Sequence, residues 1–283
     1  MRHLLLVPLI AALVAAAAAS SGSARPSTFP HRIVSLSATA TESLYAIGAG
    51  KQVVAVDNQS DYPAGTPRTT LSGFTPNVEA IASYKPDLVV VSFDPGGLVA
   101  SLRKLNIRVL VQPAVTDLQQ AYGQILELGG VTGRAAKAKA VVATMKRRSA
   151  GILAHSRRDS SLSVYHELEP DLYSATSRTF IGRIYALFGL KNVADAADST
   201  GTGYPQLSPE YVIAANPSLI VLADVRCCGQ TPQTVAARPG WRTIAAVRNH
   251  AIVRIDDSIA SRWGPRIVNF VRAISSALRV ARS

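Results

Sequence analysis

The sequence contains little cysteine. Its two cysteines, Cys227 and Cys228, are adjacent. Neighbouring Cα atoms lie about 3.8 Å apart, which is below the usual Cα separation across a disulfide of about 4.4–6.8 Å. The pair is therefore either a vicinal disulfide or two free thiols. Because protein metal sites use wider cysteine spacings, we assign this pair no metal.

Catalytic motifs are also missing. The chain has no Gly-x-Ser-x-Gly, no Gly-x-x-x-x-Gly-Lys-[Ser/Thr] and no His-Glu-x-x-His, which argues against a serine hydrolase elbow, a phosphate-binding loop and a zinc protease site. His166 and Glu167 are adjacent on a predicted strand and leave a secreted α/β enzyme as an alternative. His31, His155 and His250 are scattered, so we expect no metal site and no cofactor.

Acidic residues are fewer than basic ones, 18 against 30, and the formal net charge is +12. The densest basic runs, Lys146–Arg148 and Arg157–Arg158, fall on a predicted exposed helix and its exit, which is typical of a solvated face. Aromatic residues are not interleaved with these runs. We therefore expect no nucleic-acid partner.

Long apolar runs are missing except at the N-terminus. Arg2 precedes a run of about 16 apolar residues, and the small residues of segment 20–24 follow it, which is the organisation of a secretory signal. The run is shorter than the about 20 residues of a comfortable membrane span, so we predict a cleaved signal at 1–24 and an exported, periplasmic or extracytoplasmic protein. No cysteine follows the run, so lipid attachment of the lipoprotein type is not expected. If the run stayed as an anchor, an adhesion or sensory ectodomain would be the alternative.

Short β-branched runs alternate with helical patterns along the rest of the chain. Apolar runs of this length, separated by helices, indicate parallel strands buried on both faces. The fold class is therefore α/β, with Rossmann-like lobes and mostly parallel sheets. The predicted strands are Arg32–Leu36, Val53–Asp57, Leu88–Ser92, Val109–Pro113, Leu162–Glu167, Leu219–Asp224 and Ala251–Asp256.

One helix interrupts this alternation. Segment 133–155 is rich in helix formers, and about 20 helical residues span about 30 Å, enough to join two lobes. We therefore divide the chain into a signal (1–24), an N-terminal lobe (25–125), a connecting helix (126–158) and a C-terminal lobe (159–283).

An internal repeat supports two related lobes. Segments 77–91 and 208–222 each carry a glutamate at the start of a short helix, a proline seven residues later and then a buried strand. Asn77 and Ser208 are suitable N-caps, which places Glu79 and Glu210 in the first helical turns. Each glutamate alone would complement its helix dipole. An acidic residue at the same place in both lobes also suits docking to a two-fold symmetric partner.

Aromatic residues follow several predicted strands. Because ligands of parallel α/β lobes bind beyond the carboxyl ends of the strands, these residues are candidate walls of a cleft for a large, mostly uncharged ligand. They are Tyr62, Phe74, Phe93, Tyr173, Tyr204 and Trp263.

The chain resembles the helical-backbone periplasmic binding proteins that serve cobalamin, haem and iron–siderophore ABC importers. The resemblance covers essentially the whole mature chain, with its motifs in family order. It is carried by Arg32–Gly50, Val54–Asp57, Ser60–Pro63, Pro76–Ile81, Lys85–Val89, Asn192–Val193, Pro205–Glu210 and Arg262–Arg266.

The resemblance implies a monomer of two α/β lobes joined by one rigid helix, with little hinge motion. It also implies that Glu79 and Glu210 engage arginines of the importer's membrane permease dimer. Within the family the chain is most similar to the cobalamin-binding branch, although Phe and Tyr stand where that branch often has Trp. The expected cargo, as a transported ligand rather than a cofactor, is cobalamin or a related corrinoid, held by the set Tyr62, Phe74, Phe93, Tyr173, Tyr204, Arg262 and Trp263.

Two other cargoes stay open within the same family. A siderophore would be expected to bind cleft arginines, for which Arg178 and Arg262 are candidates. Haem would need an axial ligand, for which Tyr62, Tyr173 and His166 are candidates.

Overall fold

The computed structural model describes residues 29–281, so the predicted signal segment lies outside the described residues. Within them the chain forms two separate four-stranded sheets. The first contains β1 (Ile33–Leu36), β2 (Val53–Val56), β3 (Leu88–Val91) and β4 (Arg108–Val111), and the second contains β5 (Ser163–Glu167), β6 (Lys191–Asn192), β7 (Leu219–Leu222) and β8 (Ile252–Arg254).

All strand pairs within the two sheets are parallel, which confirms the predicted α/β fold class. The strand orders are β2-β1-β3-β4 and β6-β5-β7-β8, so the second sheet repeats the topology of the first. The sequence did not predict β6, because a strand of two residues is too short to produce a recognisable apolar run.

Helices connect the strands. The described helices are α1 (Ala38–Ala46), α2 (Val78–Ser83), α3 (Leu98–Lys104), α4 (Leu118–Val131), α5 (Ala135–Ala154), α6 (Phe180–Leu187), α7 (Pro209–Ala215), α8 (Val225–Cys228), α9 (Pro232–Ala236), α10 (Ala245–Arg248), α11 (Asp257–Ser261) and α12 (Ile267–Val280).

Helix α5 has the 20 residues predicted for the connecting helix. It is not alone in segment 126–158, because α4 extends to Val131 and a turn with Gly133 at a φ of 72° separates the two helices. The helices cross closely, since a Cβ placed on Gly129 would lie 2.3 Å from Ala138 Cβ. Helix α5 also packs against α12 and so contacts both halves of the chain.

One apolar core extends through both lobes. It includes Ile33 and Leu44 before α4, Met145 in α5, and Phe188 and Ile274 after α5. A second core covers the other face of the first sheet under α2 and α3. The lobes are thus joined by packing as well as by a helix. Within residues 29–281, no helix combines the length and apolar character needed to cross a bilayer.

Candidate ligand-binding cleft

A cavity of about 570 Å³ lies between the two lobes, within the about 300–1,000 Å³ of small-molecule sites. Its walls come from segments that follow strands of both sheets, as the parallel topology predicts. From the first lobe they include Leu36–Thr39, Asp57, Gln59, Asp61, Gly73, Phe74, Ser92 and Phe93, and from the second lobe Arg226, Cys227, Asp257, Ser258 and Ser261–Trp263.

Two phenylalanines form the apolar part of the first wall. The side chains of Phe74 and Phe93 are 70% and 41% exposed, and their ring centroids lie 5.8 Å apart. Trp263 lies on the opposite wall, and its indole Nε1 donates to Gln124 Oε1 of α4 at 2.8 Å. Exposed aromatic surface of this kind marks a binding site.

The structure brings together four of the seven residues predicted to hold ligand. Phe74, Phe93, Arg262 and Trp263 line the cavity. The three predicted tyrosines are not among its lining residues.

The tyrosines have other surroundings. The Arg266 guanidinium carbon lies 4.0 Å from the centroid of the Tyr62 ring. Tyr173 forms an isolated bridge with Gln206 and is 38% exposed, while Tyr204 is 47% exposed. The paths of the loops determine where these rings lie. The number of residues between a strand and an aromatic residue does not determine such a path.

Charged side chains that the sequence did not predict as site residues line much of the cavity. Asp57, Asp61, Asp257 and Arg226 lie on its walls beside Arg262. Burial raises the pKa of Asp57 despite a hydrogen bond from Ser60. Burial opposes ionisation of Asp61 as well, but its hydrogen bond with Arg262 and the charges of Arg262 and Arg226 prevail and lower its pKa. The cleft is therefore more polar than the sequence predicted.

An ion-pair network joins the lobes at the edge of this cleft. The side chain of Glu42, on α1, is 2% exposed and accepts hydrogen bonds from Arg262 and Arg266 of the second lobe. Arg262 Nη1 also lies 2.9 Å from Asp61 Oδ1, and Arg262 Nη2 donates to the Gln59 carbonyl at 2.8 Å. Charge-assisted bonds of this kind fix relative orientation, so Arg262 links the two lobes as well as lining the cavity.

Cys227 and Cys228 form a vicinal disulfide, which decides between the two alternatives that the sequence left open. The disulfide belongs to α8, where the backbone N–H groups of Arg226 and Cys227 donate to the Asp257 carboxylate at 2.9 and 2.7 Å. The Arg226 guanidinium reaches Asp61 of the first lobe at 3.3 Å. Helix α8 therefore forms part of the cleft wall.

His166 and Glu167 are not arranged as an acid–base pair, because neighbouring residues of a strand point to opposite sides of β5. His166 is fully buried, its Nδ1 lies 2.5 Å from the Tyr185 hydroxyl, and burial lowers its pKa to about 3. Glu167 instead accepts two hydrogen bonds of 2.6 Å from Arg238. Neither residue lines the cavity, and this geometry gives no support to the enzyme alternative.

Glu79 and Glu210 occupy matching positions on the two lobes. Asn77 and Ser208 cap α2 and α7 by accepting from the third backbone N–H, at 2.7 and 3.1 Å. Both glutamates lie in the first turn, and both are exposed. Each helix leads into the strand that pairs with the lobe's first strand, β3 with β1 and β7 with β5, so the sequence repeat has an equivalent place in each lobe.

Comparisons of the sequence with known proteins agree on one family. The model of a family described as periplasmic binding protein matches residues 33–259. The uncharacterized ABC transporter substrate-binding lipoprotein YvrC of Bacillus subtilis is 30% identical over 88% of this chain and 80% of that protein. A cobalamin-binding protein of Halobacterium salinarum is 30% identical over 88% of this chain and 69% of that protein.

Solved structures share the fold. The periplasmic vitamin B12 binding protein of Vibrio cholerae superposes with a TM-score of 0.75 at 24% identity, covering 90% of this chain and 98% of that one. A periplasmic haem-binding protein in complex with two haems superposes with a TM-score of 0.77 at 20% identity, covering 89% and 99%. At these identities the match establishes the two-lobed architecture.

Proposed function

Because the chain belongs to the periplasmic binding protein family, we propose that it captures a corrinoid of the cobalamin type between its lobes and delivers it to an ABC importer. The observation that carries this proposal is the interlobe cavity, which has paired exposed phenylalanines on one wall and a tryptophan on the other. Relatives that bind cobalamin support the choice of ligand. In this proposal the protein binds and releases its cargo without catalysing a reaction.

The cavity residues have distinct proposed roles. Phe74, Phe93 and Trp263 would contact the broad apolar surface of the macrocycle, since aromatic rings supply large contact areas at low conformational cost. Tyr62, Tyr173 and Tyr204 are outside the cavity walls and would contact only the periphery of a large ligand. Arg262 is already paired with Glu42 and Asp61, so its proposed role is to hold the cleft in shape.

Haem and siderophore cargoes have weaker support from the side chains. His166 is fully buried, and neither Tyr62 nor Tyr173 lines the cavity, so the candidate axial ligands are poorly placed for haem. The charge of Arg178 is paired with Asp198 and that of Arg262 with two carboxylates, which leaves less positive charge for an anionic siderophore. Corrinoid binding is therefore preferred.

Glu79 and Glu210 are the proposed contacts with the permease dimer. Both are exposed, both begin a helix, and they lie on different lobes. Exposed ion pairs contribute mainly orientation and encounter rate rather than large affinity. Exchanging both glutamates for glutamine should therefore impair uptake while leaving ligand binding nearly unchanged.

The ligand proposal is tested by titrating the purified protein with cyanocobalamin, a ferric hydroxamate siderophore and haemin in parallel. A ligand at 100 times its Kd stabilises the fold by about 2.7 kcal/mol, which is measurable as a rise in Tm. Cyanocobalamin should produce this rise, and Phe74→Ala with Phe93→Ala should abolish it. Leu105→Ala is the control, because Leu105 is 52% exposed and outside the cavity. A rise with haemin or siderophore alone would replace the corrinoid proposal with that cargo.

The docking proposal is tested by corrinoid uptake in cells that carry Glu79→Gln and Glu210→Gln. Glu169→Gln, at another exposed glutamate, is the matched control. Uptake should fall in the double variant alone. Equal loss of ligand binding in the double variant would mean that the two glutamates shape the cleft.

A further inference from the structure

The segment between Glu127 and Asp159 is strongly basic. It holds eight of the 30 basic residues and none of the 18 acidic ones. All eight are exposed: Arg134, Lys137, Lys139, Lys146, Arg147, Arg148, Arg157 and Arg158. Most of this segment is helix α5, so a large part of the formal charge of +12 lies on one structural element.

Helix geometry arranges these charges around one face. Helix α5 buries Ala138, Val142, Met145 and Ser149, which recur at the spacing of one helical side. At 3.6 residues per turn, Arg147 lies opposite this buried side, among Ala136, Ala140, Ala143 and Ala150. Lys139 and Lys146 lie along one flank, and Lys137 and Arg148 along the other. The outward face is thus rich in alanine, with Arg147 near its centre and a row of cations along each flank, so that all five charges can approach one flat surface.

Acidic partners do not neutralise this face. Within the part of the chain that the structure describes, the ion pairs do not involve Lys137, Lys139, Lys146, Arg147 or Arg148. Lys146 Nζ lies 5.2 Å from the centroid of the Tyr122 ring, a contact that keeps its charge. The face therefore keeps its positive charge and attracts anions.

The described part of the chain begins beside the start of α5. A Cβ placed on Gly133, just before α5, would lie 2.6 Å from the Phe29 ring. The Gln52 side chain donates to the carbonyls of Pro30 and Thr132 at 2.8 and 3.3 Å. Phe29, the first described residue, therefore lies next to the start of α5, and the apolar run 4–19 precedes it in the chain. A secretory signal, which the sequence predicts here, inserts into the membrane during export.

We propose that the outward face of α5 binds the anionic phospholipid headgroups of the membrane that the N-terminal segment contacts. Each Lys or Arg near an anionic bilayer strengthens association about fivefold, so several together suffice for reversible association. Salt weakens this association because exposed charges are screened over about 8 Å at physiological ionic strength. Glu79 and Glu210 lie on other helices. The surface would therefore hold the protein near the bilayer without using its proposed contacts with the importer.

The test measures partition of the exported protein, as purified, onto two kinds of vesicle. One is phosphatidylcholine alone and the other contains about 30% phosphatidylglycerol, which supplies the anionic surface. The variant combines Lys137→Gln, Lys139→Gln, Arg147→Gln and Arg148→Gln, which keeps good helix formers at exposed positions. Its partition onto the anionic vesicles should fall at least about tenfold. An N-terminal apolar run that is retained would insert into both vesicle types. The readout is therefore the partition onto anionic vesicles minus the partition onto neutral vesicles.

A matched control separates this face from the net charge of the whole protein. Arg68→Gln, Arg103→Gln, Lys104→Gln and Arg242→Gln remove the same charge at exposed positions outside α5. This control should lose less than about twofold, since it leaves the α5 face intact. Equal loss in both variants, or no preference of the unchanged protein for anionic vesicles, overturns the proposal. An unchanged Tm for both variants establishes that the fold is intact, and the outcome does not depend on which cargo the cleft binds.

Discussion

The two lobes share one strand topology but bury different side chains at equivalent places. In the first sheet β1 ends at Leu36, which pairs with Val91, and in the second sheet β5 ends at Glu167, which pairs with Leu222. Both Leu36 and Glu167 are buried. A leucine and a glutamate therefore occupy the same position of one architecture.

Neighbouring side chains allow the second lobe to bury a glutamate at this position. Arg238 forms a two-pronged contact with Glu167 and stacks on Trp241, with 4.5 Å between its guanidinium carbon and the ring centroid. The pattern of apolar runs fixes the topology, and residues from neighbouring loops then decide whether a strand end holds charge.

Arg238→Met should be the most damaging single change. It would leave Glu167 buried without its partner, and breaking a buried ion pair from one side costs about 3–5 kcal/mol. Urea unfolding measures the loss. Arg242→Met, four residues away at an exposed position, is the control and should change stability by less than about 0.5 kcal/mol. A loss below about 1 kcal/mol for Arg238→Met would mean that the pair contributes little.

A second substitution should restore the stability that Arg238→Met removes. Glu167→Leu combined with Arg238→Met makes the second lobe resemble the first at Leu36, and buried ion pairs can be replaced by apolar residues with little cost. We expect the double variant to recover most of the stability lost by Arg238→Met alone. Failure to recover would mean that the charge itself is required by the surrounding packing.

Asp224 should make stability depend on pH. Burial and the adjacent charge of Glu167 raise its pKa from 3.8 to about 7. The folded state holds the proton more tightly than the unfolded state, so this contribution to stability is complete below about pH 4 and is lost as pH rises to 7.

Asp224→Asn should remove this loss. Its free energy of unfolding, relative to the unchanged protein, should rise between pH 4 and 7. His166 has the opposite dependence, because burial lowers its pKa to about 3, but subtracting the two profiles cancels a contribution common to both proteins. A difference that stays flat with pH would show that Asp224 titrates normally.

Glu42→Gln tests the ion pairs that cross from one lobe to the other. Hydrogen bonds to charged groups contribute about 1.5–3 kcal/mol, and Glu42 accepts from both Arg262 and Arg266. We expect a loss of about 2 kcal/mol, measured by urea unfolding. The exposed Glu169→Gln serves again as the control, and an equal small loss in both variants would mean that the network adds nothing to stability.

Removing the helix caps should cost the least stability, and the cost should be nearly the same in the two lobes. Asn77→Ala and Ser208→Ala each remove a side-chain acceptor from an N-cap, at a cost of about 1 kcal/mol. Thermal unfolding of the two variants measures the loss. If the repeats are equivalent the two losses match, and a difference larger than about 1 kcal/mol would show that the two caps are not equivalent.

Much of the fold follows from the sequence because parallel strands and long helices leave local patterns. The apolar run at Leu219–Leu222 and the alanine-rich segment of α5 are such patterns, and each element lies within a few residues of its predicted position. Phe74, Phe93 and Trp263 line the cavity because they follow strands whose carboxyl ends meet. These positions depend only on chain order and topology.

The ion pairs of the cleft could not be predicted in this way. Glu42 and Arg262 are separated by 220 residues, so no spacing connects them, and their pairing depends on how the two lobes are placed. The exclusion of Tyr204 from the cavity wall likewise depends on the path of an irregular loop. The only sign of the buried Glu167 in the sequence is an acidic residue at the end of a predicted strand, and that sign does not identify Arg238 as its partner.

The apolar interior that runs from Ile33 to Ile274 has a consequence for how the molecule comes apart. Either half, made alone, would present a broad hydrocarbon face to water, which promotes aggregation rather than independent folding. Heating should therefore melt the chain in one cooperative step instead of two. A partner that separates the halves to empty the groove must work against that shared interior, so cargo release is expected to need only a small opening at the rim.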